Sequence, residues 1–149
     1  MRVKEVLPAA SKRLVVIRDD ASLTDAAKLL REPDVDLVVA CGEDKSVTGV
    51  ITKTDLVREI SERRGGETAT TVSSVMTRDV ASCGPHDSLH DVWTMMKERK
   101  LKNVPVLDQD SRPIGVLNAR DVLEALLEEV EQEEMLLRDY VMRIGHPRI

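Results

Sequence analysis

Two seven-residue stretches hold side chains whose types and spacing could contact a ligand. One is Gly49-Val50-Ile51-Thr52-Lys53-Thr54-Asp55, the other Gly115-Val116-Leu117-Asn118-Ala119-Arg120-Asp121. In each, an apolar run ends in a hydrogen-bonding side chain, and an Asp follows three residues later. One reading is structural. Thr-x-x-Asp and Asn-x-x-Asp cap a helix start, where a carboxylate sits well against the unpaired N–H groups. The other reading is a ligand site. The same N–H groups suit a phosphate, and a first-turn carboxylate accepts two hydrogen bonds from a vicinal diol such as a ribose. The two roles are compatible.

Other reactive residue types point nowhere specific. His86 and His90 have helical i, i+4 spacing but no evident third ligand, and surface histidines are expected. His146 lies in the tail and reads the same way. Cys41 and Cys83 fall inside apolar runs without Cys-x-x-Cys spacing, so reduced core thiols are expected rather than a disulfide or metal site. No catalytic constellation, Walker-type loop or Gly-x-Gly-x-x-Gly occurs. Catalytic and metal-ligating residues are therefore expected to be none.

The elements that must position these stretches come from a repeat. Sliding the chain by 66 residues aligns 19–60 with 85–126 and gives nine identities in 42 positions. Roughly two or three would arise by chance. Upstream, Val3-Lys4-Glu5-Val6-Leu7 falls on Val72-Ser73-Ser74-Val75-Met76, and Leu14-Val15-Val16-Ile17 on Val80-Ala81-Ser82-Cys83. Each copy reads β-α-β-β-α. The strands are expected at 14–17, 36–41 and 46–51, then at 80–83, 103–107 and 112–117. Ser22-Leu23-Thr24-Asp25 and Ser88-Leu89-His90-Asp91 carry helix-start signals. Closing helices are expected at 53–63 and 119–140. The domain reading is repeat 1 over 1–64, a linker over 65–71 marked by Gly65-Gly66, repeat 2 over 72–130, and a helical extension and tail over 131–149. A unit of about 60 residues buries only a marginal core. Two units are therefore expected to stack face to face and leave grooves between them.

Composition narrows the function. The chain has 149 residues, a net charge of −5, 42% hydrophobic residues, one Trp, one Tyr and no Phe. The core must be aliphatic. The negative charge and the lack of stacking aromatics argue against nucleic-acid binding. No run approaches the ~20 apolar residues of a membrane helix. The N-terminus reads as no secretory signal, so a cytoplasmic protein without membrane association is expected. Trp93, Met95 and Met96 read as core or interface packing. Along the last helix Val122, Leu123, Leu126, Leu127, Val130, Leu137 and Val141 fall near helical spacing, with acidic residues on the other side. That helix outruns its own unit, and its end is expected to pack on a partner chain or fold back.

In order and duplication these features resemble the CBS domain, and two in tandem resemble a Bateman module. Val72-Ser73-Ser74-Val75-Met76-Thr77 is similar to the lead-in of such repeats, Lys102-Asn103-Val104-Pro105-Val106 to their second strand, and Gly115 to Asp121 to their signature. The resemblance covers about 3–140. It implies an α/β (α+β) fold, two repeats packed as a pseudo-two-fold pair with a long C-terminal helix. It also implies regulatory binding of an adenosine ligand, AMP, ADP or ATP, with S-adenosylmethionine or NAD(H) as further members of that class. No cofactor is required. By position, Asp55 and Asp121 would hold ribose hydroxyls, and Thr52 and Asn118 ribose or phosphate. Backbone around Leu14 and Val38, and around Val80 and Val104, would flank adenine. Lys102, Asn103 and Arg120 would meet phosphate, with Thr54, Thr77 and Pro105 beside them. Copy 1 departs from the pattern, with Asp36 and Leu37 in the places of Lys102 and Asn103. Unequal sites are therefore expected. The implied partners are an adenine nucleotide, a second copy of the chain in a homodimer, and a separate regulated protein. A pair with degenerate clefts, acting through dimerisation or docking, is the alternative.

Overall fold

The structure is a computed structural model and describes residues 1–62 and 70–145. Most of the linker expected at 65–71, and His146, lie outside the described residues. A 3-10 turn (Val3–Val6) leads into α1 (Leu7–Lys12), β1 (Val16–Arg18), α2 (Leu23–Leu30), β2 (Leu37–Cys41), β3 (Val47–Thr52) and α3 (Lys53–Glu62). The second copy runs through α4 (Val72–Val75), α5 (Leu89–Arg99), β4 (Asn103–Leu107), β5 (Pro113–Asn118) and α6 (Ala119–Gly145). The fold is the expected α/β pair with a long C-terminal helix.

Local chemistry repeats with the sequence. The Ser22 hydroxyl accepts the Asp25 N–H at 3.1 Å, and Ser88 accepts that of Asp91 at 3.4 Å, so both expected caps form. Hairpin β2–β3 pairs Leu37 with Thr52, and β4–β5 pairs Asn103 with Asn118. Both hairpins carry an irregularity at the same place, between Ala40 and Cys41 and between Val106 and Leu107. Both turns put a non-glycine residue in the left-handed region, Lys45 at φ 70° and Ser111 at φ 60°.

The first strand of copy 2 departs from expectation. In copy 1, β1 pairs parallel to β2, and the Val39 N–H bonds the Val15 carbonyl at 2.9 Å. The equivalent donor in copy 2 would be Pro105, which has no N–H. The 80–83 strand shrinks to one bridge between Cys83 and Val106. Copy 1 thus has a three-stranded sheet and copy 2 a two-stranded one.

The packing crosses between the copies. Val3 and Ala10, from the start of the chain, are buried in a cluster with Leu89, Met96, Val104, Leu117 and Val122 of copy 2. Val72 and Met76, which lead into copy 2, are buried with Leu30, Val38 and Ile51 of copy 1. Each lead-in therefore completes the other copy's core. Backbone contacts follow the same exchange, with bridges Arg2–Ser88 and Ser22–Thr71. A third cluster joins the copies through Leu37, Val39, Cys41, Val50 and Val116. Alternation along β2 sends Val38 and Ala40 into the copy-1 core and its other side chains into this seam. Trp93 and Met95 pack against the copy-2 core, where Met96 is buried. Both cysteines are buried free thiols. Burial pushes both thiols up, that of Cys83 to about 12. Among the described residues no helix is long and apolar enough to cross a membrane.

The two signature glycines sit where the exchanged lead-ins lie flush on the opposite hairpin. A Cβ on Gly49 would meet the Met76 sulfur at 2.6 Å and the Thr77 carbonyl oxygen at 2.8 Å. A Cβ on Gly115 would meet Ala10 at 3.0 Å. Overpacking of this kind costs about 1–3 kcal/mol. Gly49→Ala is accordingly expected to lower the midpoint of chemical denaturation by a corresponding amount. An unchanged midpoint would show that the lead-in does not hold this close seat.

Candidate functional site

Each signature stands at a strand-to-helix junction without a loop. β3 ends at Thr52 and α3 starts at Lys53; β5 ends at Asn118 and α6 starts at Ala119. The Asp of each stretch therefore falls in the first helical turn, beside the groove between the copies.

Asp55 is the one buried charged side chain among the described residues, at 5% exposure. Its Oδ2 accepts the Thr52 N–H at 2.9 Å and the Thr52 hydroxyl at 3.2 Å. Its Oδ1 accepts the Thr77 hydroxyl at 3.3 Å and an Arg58 N–H at 3.4 Å. The Asp55 N–H in turn donates to Thr52 Oγ1 at 3.3 Å. The capping role is thus real, and it holds the carboxylate buried behind Thr52 and Thr77, which line the groove.

Copy 2 builds the same place differently. Asn118 caps through its carbonyl oxygen, which accepts the Arg120 N–H at 3.0 Å, and its amide donates to Asn103 Oδ1 at 3.1 Å. Asp121 is engaged by Arg13 from the exchanged lead-in. Arg13 Nε donates to Oδ2 at 2.6 Å and Nη2 to Oδ1 at 3.2 Å. The hydrogen bond to Asp121 holds the Arg13 guanidinium above its ordinary pKa against the opposing effect of burial, with Asp34 and Asp36 adding to the field. The Asp36 expected to oppose a phosphate in copy 1 lies 3.8 Å from Lys53 Nζ.

The cavities differ as sharply. Beside Thr52 a cavity of about 310 Å³ is walled by Leu37, Val50, Val80, Ala81, Leu101 and Pro105, with Thr77, Asp79, Arg99 and Asn103 at polar positions. It adjoins a second space of about 450 Å³, which shares Leu37, Thr52, Leu101 and Asn103 and adds Asp36, Lys53, Thr54, Lys100 and Lys102. The pair has the form of an apolar slot opening onto three lysines and one carboxylate. Beside Asn118 the cavity is about 420 Å³ and polar, lined by Arg13, Pro33, Asp34, Asp36, Lys102, Ala119 and Arg120 as well as Asn118. A further cavity of about 560 Å³ lies at the hairpin turns, lined in part by Cys41, Lys45, Asp108 and Arg112. It is away from both signatures and shares no lining residue with the others.

Of the residues expected at a site, Thr52, Thr54, Thr77, Val80, Lys102, Asn103 and Pro105 gather around the copy-1 groove, with Asp55 behind them. Asn118, Arg120 and again Lys102 line the copy-2 cavity, with Asp121 behind Arg13. Leu14 packs on the seam between the copies. Val38 and Val104 are wholly buried in the two cores and line none of these cavities. Sequence reading assigned no ligand role to Val50, Leu101, Lys53, Lys100 or Arg13. Lys53 sits next to the signature threonine and was there to be read. Arg13 meets a partner 108 residues away, and no local pattern marks it.

Comparison with known proteins places these features in a lineage. A family model described as the CBS domain matches residues 3–62 and 72–128. A homoserine O-acetyltransferase of Methanosphaera stadtmanae is 28% identical over 121 residues, 81% of this chain but 23% of that protein. The chain thus spans less than a quarter of that relative's length. The CBS domain-containing protein CBSX3, mitochondrial, of Arabidopsis thaliana is 26% identical over 82% of this chain and 61% of its own. Among solved structures, the CBS-domain protein ATU1752 of Agrobacterium tumefaciens aligns with a TM-score of 0.71 at 26% identity, covering 84% of this chain and 98% of that one. The CBS domain pair of protein MJ0100, in complex with 5′-methylthioadenosine and S-adenosyl-L-methionine, aligns at 0.72 with 22% identity, covering 87% and 98%.

Proposed function

Because the chain belongs to the CBS-domain family, with one match in each half, we propose that it is a regulatory module, without catalysis of its own, that binds an adenine nucleotide in the copy-1 groove. The carrying observation is the apolar slot that opens onto Lys53, Lys100 and Lys102. The two spaces together fall within the range of small-ligand sites. Val80, Leu101 and Pro105 give a purine two apolar faces. The Asp55 carboxylate and the hydroxyls of Thr52 and Thr77 supply the hydrogen bonds a ribose needs. To accept a ribose diol, Asp55 releases the Thr77 or Arg58 contact, both of them long at 3.3 and 3.4 Å. The lysines favour a phosphate over the cationic sulfonium of S-adenosylmethionine, so AMP, ADP or ATP is the ligand class. The adenosyl compounds bound by the MJ0100 pair support adenosine recognition in this fold.

The alternative, a pair with degenerate clefts, fits the copy-2 cavity better than the copy-1 groove. The test is thermal unfolding with AMP, ADP and ATP, with GMP as control. Ligand at 100 times its dissociation constant adds about 2.7 kcal/mol of stability. An adenine-selective rise that disappears in Asp55→Ala is expected, in a variant still folded by circular dichroism. No response to any nucleotide, in protein freed of copurified ligand, would leave the degenerate pair as the reading.

A second copy is the partner we assign to α6. The helix spans 27 residues, about 40 Å. Val122 and Leu126 anchor it in the copy-2 core, while the residues from 131 to 143 are all exposed. Leu123, Leu127, Val130, Leu137 and Val141 recur at spacings of three and four, interrupted at Glu134, and are 41–62% exposed. A lone helical segment of this length is marginal in water. Its charge is lopsided, with Glu128, Glu131, Glu133 and Glu134 ahead of Arg138 and Arg143, while Glu129 is held by the N-terminus and His90 and Asp139 lies between the arginines. Antiparallel pairing with a second α6 sets the acidic stretch of one chain against the arginines of the other and covers both apolar stripes. Light scattering is expected to give a dimer that Leu137→Glu with Val141→Glu turns into a folded monomer. A wild-type monomer at high micromolar concentration would refute the pairing.

A further inference from the structure

We propose that Arg13 is a latch that closes the copy-2 cleft, so that the pair binds nucleotide at one cleft until the latch is withdrawn. This rests on the reading of the signature carboxylates as ribose acceptors. The two carboxylates have the same place in their copies but opposite neighbours. Asp55 meets hydroxyls and one distant guanidinium at 3.4 Å, contacts a ribose can replace. Asp121 meets both donors of a guanidinium fork, at 2.6 and 3.2 Å, which uses both its oxygens. Bidentate charge-assisted pairs are the strong kind, and a neutral diol is a poor competitor for the arginine.

The latch is set in place by the backbone. Arg13 follows the last residue of α1, and its N–H bonds the carbonyls of Ala10 and Ser11. Ala10 lies against Gly115, with 3.0 Å to the position of an added Cβ. The short helix is thereby fixed on β5, and the Arg13 side chain rises beside Asp121. Asp34 and Asp36 line the same cavity and add to the field that holds the cation. With Arg13 committed to Asp121, a phosphate entering the cleft meets those two carboxylates against Lys102 and Arg120. The cleft is closed by an occupied ribose acceptor, and its two carboxylates offset the two cations left for a phosphate. Thr77 of copy 2 reaches Asp55 as a hydroxyl donor, whereas Arg13, from a different point of the copy-1 lead-in, reaches Asp121 as a guanidinium, and that difference of donor converts a site into a latch.

The test is calorimetric titration of the full chain with AMP, for wild type, Arg13→Ala, Asp55→Ala and the double variant. Each is first checked for folding by circular dichroism. Wild type is expected to take up one AMP per chain, and Asp55→Ala none. Arg13→Ala is expected to take up two, and the double variant to keep the second. Releasing the latch should tighten the copy-2 cleft by about tenfold or more, the factor by which a closed state masks affinity. Where Arg13→Ala misfolds, Arg13→Gln gives the same reading with less lost packing. One AMP per chain in both wild type and Arg13→Ala would overturn the latch and leave the copy-1 site standing. Two per chain in wild type, or a second event that Arg13→Ala abolishes, would make Arg13 a ligand contact and overturn it too. No binding by wild type, with one AMP per chain in Arg13→Ala, would sink the copy-1 site and keep the latch. No binding by any of the four would refute both.

Discussion

Each copy contributes about sixty residues, a size at which a hydrophobic core is only marginal. The chain meets that constraint by exchange. Val3 and Ala10 fill the core of the second copy, and Val72 and Met76 fill the core of the first. The rest of the structure depends on this crossing. It explains the signature glycines, since Met76 and Ala10 lie where a Cβ would stand. It also determines what reaches each signature carboxylate. Thr77, next after Met76, and Arg13, at the end of α1, each arrive beside an Asp of the opposite copy.

Symmetry of backbone therefore coexists with asymmetry of chemistry. The hairpins repeat down to their irregularities and their left-handed turn residues. The side chains facing the groove do not repeat. Pro105 stands where Val39 does, and its missing N–H reduces a strand to one bridge while its ring walls the apolar slot. Asn118 pairs with Asn103 across the hairpin, where Thr52 faces Leu37. The slot and the lysines fall on the copy-1 side, and the ion pair on the other.

Much of this was legible in the sequence, because it is local. The helix caps at Ser22 and Ser88, the hairpins and the two signatures all follow from short-range patterns that a repeat states twice. Unequal clefts were foreseeable from Asp36, Leu37 and Asn118, but Asp36 and Leu37 marked copy 1 as the departing copy, whereas the apolar slot and three lysines lie at its signature. What the sequence concealed is long-range. Nothing near Arg13 indicates a partner 108 residues away, and nothing in Val72 to Met76 says that it packs on the copy behind it rather than the one ahead. The missing donor of Pro105 was legible, but not that the 80–83 run would lie beside it and shrink to one bridge.

The central claim is that one cleft, beside Asp55, is built for an adenine nucleotide. The most direct measurement is a crystal structure of the full chain grown with AMP. Adenine is expected between Val80 and Pro105, the ribose diol on Asp55, and the phosphate among Lys53, Lys100 and Lys102. AMP found only at Asn118 and Asp121, or at the hairpin-turn cavity beside Cys41 and Arg112, would contradict it.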